Sequence, residues 1–189
     1  MGEAVARTRL AYPEYLVQEA RSATKHEWLD GEVFAMSGGT PEHAALAAAV
    51  AGELRSALRD RPCRVFSSDL RIRVQATGLA TYPDLSVVCG RLETHPEDAD
   101  AVVNPALLVE VLSDSTEAYD RGEKFRQYRT IPALREVLFV SQHAPRFELY
   151  RRGDSGTWEL HEAGAGESLA LASVGCPLAV DDVYRNPLP

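Results

Sequence analysis

The nine residues PALLVEVLS, Pro105 to Ser113, constrain what this chain can fold into more than any other stretch. Alternation along an extended backbone puts Ala106, Leu108, Glu110 and Leu112 on one face, and Leu107, Val109 and Val111 on the other. Both faces are apolar, as in a strand at the middle of a sheet that is covered on both sides. Glu110 alone interrupts them. A buried carboxylate with no partner costs several kcal/mol or surrenders its charge. The strand is therefore acceptable only if a cation reaches Glu110, either a basic side chain or a bound metal ion.

The rest of the chain supplies layers to cover such a strand. AYPEYLVQEA reads as a short helix with Pro13 in its first turn, and HEWLDGEVFAM as a hairpin about Asp30-Gly31. TPEHAALAAAVAGELRSALRD reads as a helix capped by Thr40, with Leu46, Val50, Leu54 and Leu58 on its buried side. CRVFSSDLRIRV and TYPDLSVVCG read as two strands joined around Ala76-Thr77-Gly78, and STEAYDRGEKFRQYRTI as a helix ending before Pro132. REVLFVS is a further buried strand, and RFELYRR with TWELHEAG a closing hairpin; RLETHPEDADAVVN reads as a flexible loop. This order predicts one α/β domain over residues 1–189: a central mixed β-sheet flanked by helices, with an N-terminal helix and hairpin and a C-terminal hairpin.

Two further carboxylates converge on Glu110. Asp84 follows Pro83 at the mouth of the neighbouring strand, so the two acids form an oxygen-rich pair suited to magnesium or manganese. A symmetric turn at residues 76 and 77 would set Asp69 opposite Asp84, although a one-residue slip would move it to the other face. His43 shares the inner face of the alanine-rich helix and sits near its N-terminus, where an anion is favoured; it reads as a phosphate or metal contact, or as a satisfied buried histidine.

Composition excludes several alternatives. The balance of 20 basic and 28 acidic residues gives a net charge of −8, which argues against coating nucleic acid by bulk charge. Cys63, Cys89 and Cys176 are odd in number and widely spaced, so they read as small buried hydrophobes and not as a disulfide framework or a zinc site. No run is long enough to span a membrane, and Met1 to Leu10 lacks the apolar middle of a signal peptide, so the expected location is the cytoplasm.

The motifs YPD, EVLSDST and YDRGEKFRQYRTIP, with HEWLDGEVFAMSGGTPEH upstream and LASVGCPLAVDDVY at the end, resemble the Uma-two family of endonuclease-like proteins in the PD-(D/E)XK nuclease superfamily. The resemblance implies a restriction-endonuclease-like fold and Mg²⁺- or Mn²⁺-dependent hydrolysis of DNA, with Asp84 and Glu110 as the two motif acids. The lysine usual two residues after the second acid is absent, since Leu112 stands there, which is the feature favouring the alternative of a non-catalytic nucleic-acid- or protein-binding module on a nuclease scaffold; a metal-dependent hydrolase of another phosphoester is the other. In this family the lysine is carried by the next helix, which points to Lys124, a residue also spaced to pair with Asp120 on a solvated helix face. Asp84, Glu110 and the Val111 carbonyl would hold the metal, and Lys124 would orient or deprotonate the attacking water. Glu27 or Glu32 would be an additional acid from the N-terminal part. Arg121, Arg126 and Arg129 would form a phosphate rim or simply balance Glu117, Asp120 and Glu123, while Trp28 and Trp158 read as packing residues. A homodimer is the simplest way to cut both strands of a duplex.

Overall fold

The computed structural model describes residues 9–36 and 38–185. The opening segment read for a signal peptide therefore lies outside the described residues up to residue 8. Among those described, no helix is long and apolar enough to cross a membrane.

Two six-stranded mixed sheets replace the one expected. The first runs β2 (Glu32–Ala35), β1 (His26–Leu29), β5 (Leu79–Thr81), β4 (Arg71–Val74), β8 (Asp98–Val102), β7 (Thr94–His95), and the second β12 (Trp158–Gly164), β11 (Arg146–Arg152), β10 (Glu136–Ser141), β9 (Leu107–Leu112), β6 (Leu85–Cys89), β3 (Cys63–Ser67). The central strand β9 (Leu107–Leu112) is buried at every position. It lies parallel to β10 (Glu136–Ser141) and antiparallel to β6 (Leu85–Cys89). Leu107, Val109 and Val111 pack towards α2 (Pro41–Ala57), whose Leu46, Val50 and Leu54 are almost fully buried. Each such side chain contributes roughly 2 kcal/mol of apolar burial. Thr40 caps this helix, its hydroxyl accepting from the His43 N–H at 3.1 Å. Leu108 and Leu112 face the opposite way, against Phe125, Tyr128, Ile131 and Leu134 from the β9–β10 crossover.

The long hairpin between residues 63 and 89 bends, because both of its strands change sheets at one corner. β4 (Arg71–Val74) pairs with β5 (Leu79–Thr81) in the register of a turn at residues 76 and 77, with Ile72 opposite Thr81. That ladder stops there. β3 (Cys63–Ser67) pairs instead with β6 in the second sheet, Ser67 opposite Leu85. The corner residues are Ser68–Leu70 on one side and Tyr82–Asp84 on the other, and Pro83, with no N–H to donate, suits a break in pairing. Asp69 consequently turns out to solvent and bonds Lys25 at 2.5 Å instead of facing Asp84. The Lys25 ammonium holds its carboxyl below the usual range.

Two other readings are corrected, and the C-terminal hairpin forms where expected. RLETHPEDADAVVN contains two strands, β7 (Thr94–His95) and β8 (Asp98–Val102), because Asp98 is buried by a fork from Arg71 (2.8 and 2.9 Å) and by the Tyr12 hydroxyl (2.6 Å). The closing hairpin, β11 (Arg146–Arg152) with β12 (Trp158–Gly164), extends the second sheet, and β13 (Ser168–Leu171) with β14 (Cys176–Ala179) forms a separate small pair before α5 (Val180–Val183). Cys63 and Cys89, directly paired across β3 and β6, form a disulfide; Cys176 stays free and buried. With its ends 26 positions apart in sequence, this cross-link should contribute about 3 kcal/mol by restricting the unfolded chain. Dithiothreitol should therefore lower the melting temperature of the wild type by several degrees and leave that of a Cys63→Ser, Cys89→Ser double variant unchanged.

Candidate functional site

The site is assembled where the crossover helix passes over the C-terminal end of β9. That helix opens as α3 (Glu117–Tyr119), widens into a π-helical stretch over Asp120–Lys124 and closes as α4 (Phe125–Tyr128). Asp120, Lys124 and Tyr128, four residues apart, are all buried and form its inner stripe. Lys124 Nζ lies 3.0 Å from Glu110 Oε1, 3.4 Å from Glu27 Oε1 and 3.5 Å from Asp120 Oδ1. Lys124 is only 4 % exposed, so it is not a partner on a solvated helix face.

Each acid has its own supports. Tyr128 donates its hydroxyl to Glu110 Oε1 at 2.6 Å. Glu27, on β1 (His26–Leu29), accepts from the Thr81 hydroxyl and, at 3.0 Å, from the Tyr119 hydroxyl. Of the two N-terminal acids considered, Glu27 is the one that reaches the site; Glu32 is on the following strand, β2 (Glu32–Ala35), and opposite Leu29. Leu85 pairs with Val109, so one further step sets Asp84 opposite Glu110. There the Val111 N–H donates to Asp84 Oδ2 at 2.7 Å, and His43 Nε2 lies 3.1 Å from the same oxygen. Asp84, Glu110, Lys124, His43 and Val111 all line one cavity of about 470 Å³, together with Glu27 and Asp120. Asp69 does not.

One ammonium cannot neutralise this many carboxylates. Burial, with Asp120 and Asp84 nearby, pushes the Glu110 carboxyl up to about 8 despite Lys124. Burial also raises Asp120. Lys124 moves upward as well, held protonated by Glu110, Glu27 and Asp120 against its own desolvation. The hydrogen bond to Asp84 raises His43, with the Val111 backbone adding to it. Glu27, Asp84, Glu110, Asp120 and Glu123 line the cavity against one lysine and one histidine, so its lining is short of positive charge.

That deficit is the test of whether a divalent cation fits. Among the described residues no three His, Cys, Asp or Glu groups form a complete cage. Magnesium does not need one, because it commonly takes one or two carboxylates and completes its shell with water and substrate phosphate. Asp84 and Glu110 match that donor set.

Arg121 and Arg126 pair with acids, as the balancing alternative expects. Arg121 bonds Glu117 at 2.7 Å and also Glu148, Arg126 bonds Glu123 at 2.5 Å, and Arg129 lies over the Phe125 ring. Trp28 and Trp158 pack as expected, against Tyr12 and Tyr15 and against Phe125 respectively. Asp120 and the two supporting tyrosines were missed as site members. The spacing of four that Asp120 and Tyr128 have from Lys124 was the available signal, and an exposed i+4 pair accounts for it equally well.

Comparison with known proteins agrees with this architecture. Two uncharacterised proteins of Synechocystis sp. are 38% identical over 94% of this chain and 93% of their own length, and 34% identical over 84% and 90%. A crystal structure described as "a putative nuclease belonging to DUF820", from Anabaena variabilis, superposes with a TM-score of 0.75 at 16% identity, covering 93% of this chain and 98% of that one. The likeness shows a shared restriction-endonuclease-like fold. The Uma2 family, described as "Putative restriction endonuclease", matches residues 12–180. The chain therefore belongs to the Uma2 family.

Proposed function

We propose that this protein is a Mg²⁺- or Mn²⁺-dependent DNA endonuclease with its active site at Asp84, Glu110 and Lys124. One observation carries the reading: the Lys124 ammonium, delivered by the crossover helix, lies 3.0 Å from Glu110 inside the cavity that Asp84 also lines. The missing lysine at Leu112 is thereby replaced in space, while Leu112 itself packs into the core.

Asp84, Glu110 and the Val111 carbonyl would hold the metal, which when bound acidifies a water and neutralises charge on the phosphate. Lys124 stays an ammonium at neutral pH, so it orients the attacking water and stabilises the growing negative charge; it does not remove the proton. His43, favoured in its charged form, braces Asp84 and adds positive charge where a phosphate would enter. Glu27 helps to fix Lys124, and Tyr128 fixes Glu110.

Calorimetric titration with Mn²⁺ and Mg²⁺ tests the site before any substrate is chosen. Glu110→Gln should bind at least about tenfold more weakly than wild type, since it removes one of two charged donors. Cleavage of plasmid and oligonucleotide DNA should require the metal and be absent in Asp84→Asn and Glu110→Gln. Equal cleavage by wild type and both variants would sink the assignment, and turnover of other phosphodiesters without DNA cleavage would redirect it to a different phosphoester.

A further inference from the structure

The five large apolar side chains exposed among the described residues are Val17, Phe34, Leu92, Tyr119 and Leu160, and two of them, both aromatic, line the catalytic cavity. Phe34 is 41% exposed and Tyr119 36%. Their placement is set by one residue. Phe34 stands directly across the β1–β2 hairpin from Glu27, so both side chains project from the same face. Tyr119 donates its hydroxyl to the other end of the Glu27 carboxylate at 3.0 Å. Since Glu27 is 3.4 Å from Lys124, the two rings stand on the wall beside the reacting groups. Leu29, Ala35 and Met36 continue that wall as an apolar surface.

Charge and size point to the occupant. A duplex-binding protein neutralises phosphates with free lysines and arginines. Here Arg121 and Arg126 are committed to acids, and the chain carries −8 overall. The cavity of about 470 Å³ lies in the range that holds a single small ligand, which a nucleotide is and a base-paired helix is not. Affinity would have to come from stacking, which every base offers through its π-face and which needs no cationic track.

Resting on the nuclease reading, we propose that the cavity receives an unpaired base stacked on Phe34 and Tyr119, so that the favoured substrate is single-stranded or frayed DNA. The adjoining phosphate would then lie at Asp84, Glu110 and Lys124. Phe34 on edge strand β2 and Tyr119 on α3 act as binding residues with no part in the proton chemistry.

A 12-nucleotide fluorescein-labelled oligonucleotide and its duplex, titrated by anisotropy in Ca²⁺, test this. The single strand should bind at least tenfold more tightly than the duplex. Phe34→Ala and Tyr119→Leu should each weaken single-strand binding about tenfold, whereas Phe34→Tyr, which keeps a ring, should bind like wild type. Equal or tighter duplex binding, or unchanged single-strand binding by Phe34→Ala with native circular dichroism, would overturn the inference. Metal-dependent duplex cleavage insensitive to Phe34→Ala would also overturn it and leave the nuclease reading standing. Ring-dependent single-strand binding without any cleavage would retain the base site and remove the nuclease.

Discussion

Lys124→Met should lower DNA cleavage by about 10²- to 10³-fold, the usual effect of removing one electrostatic donor from a transition state, and should also make the fold strongly sensitive to pH. Three carboxylates, Glu110, Glu27 and Asp120, would lose their shared ammonium inside a buried site. Deleting one partner of a buried ion pair costs about 3–5 kcal/mol when the other cannot change its charge. Here Glu110 can take a proton, so the cost depends on pH. Its folded carboxyl is already raised to about 8 with Lys124 in place. A raised acid binds a proton in the folded state that the unfolded chain has released, so its contribution to stability falls as pH climbs from the ordinary carboxylate range through about 8. Lys124 itself is raised above its usual value and stays charged across that window, so it contributes no opposing slope. Metal-free wild type should accordingly lose melting temperature between pH 5 and 8, and Mg²⁺ should flatten the trend. In Lys124→Met the decline should be steeper and continue beyond pH 8. Calorimetry in EDTA from pH 5 to 9 reads both; a flat profile, or activity within tenfold of wild type, would contradict the account.

Glu136→Ala should unfold the protein more readily than any single change at the protein's surface. Glu136 heads β10 at 0% exposure and is fully engaged. It accepts from Arg151 Nε at 2.7 Å, from the Ala172 and Ser173 N–H groups at 3.1 and 2.9 Å, and from the Ser173 hydroxyl at 2.5 Å. The carboxylate therefore ties the segment between β13 and β14 to the second sheet. Alanine would leave the Ala172 and Ser173 N–H groups without their acceptor and the Arg151 guanidinium with the Ala170 carbonyl alone, a loss of about 3–5 kcal/mol, or roughly 10 °C for a chain of this size. Urea denaturation should show a lower midpoint with an unchanged slope. Glu136 does not line the cavity of Asp84, Glu110 and Lys124, so Mn²⁺ titration of the folded variant should match wild type; weakened Mn²⁺ binding would instead mean that the two regions are coupled.

The sequence made β9 and the puzzle of Glu110 visible because an acid in an all-apolar strand violates a strong rule. Thr40 with Pro41 was equally legible, as a local capping chemistry. What stayed hidden depended on distant partners. Asp98 looked like loop polarity because Arg71 and Tyr12, which make its burial tolerable, lie 27 and 86 residues away. The β4–β5 register was readable, but the corner at Pro83 diverts both strands before Asp69 can reach Asp84. The Cys63–Cys89 disulfide was masked by a third, unpaired cysteine. Lys124 had a family pattern to mark it, whereas Asp120 had only a spacing shared with ordinary surface pairs.

The corner at Tyr82–Asp84 has a mechanical consequence. Glu27 and Thr81 belong to the first sheet, Glu110 to the second, and Asp84 sits on the fold line between them. Anything that neutralises these acids together also rivets one sheet to the other, with the gain in stability that ligand binding confers on a folded state. Loading the cavity and stiffening the hinge between the sheets would then be one event, and the first sheet would serve as a jaw whose tightness reports whether the site is filled.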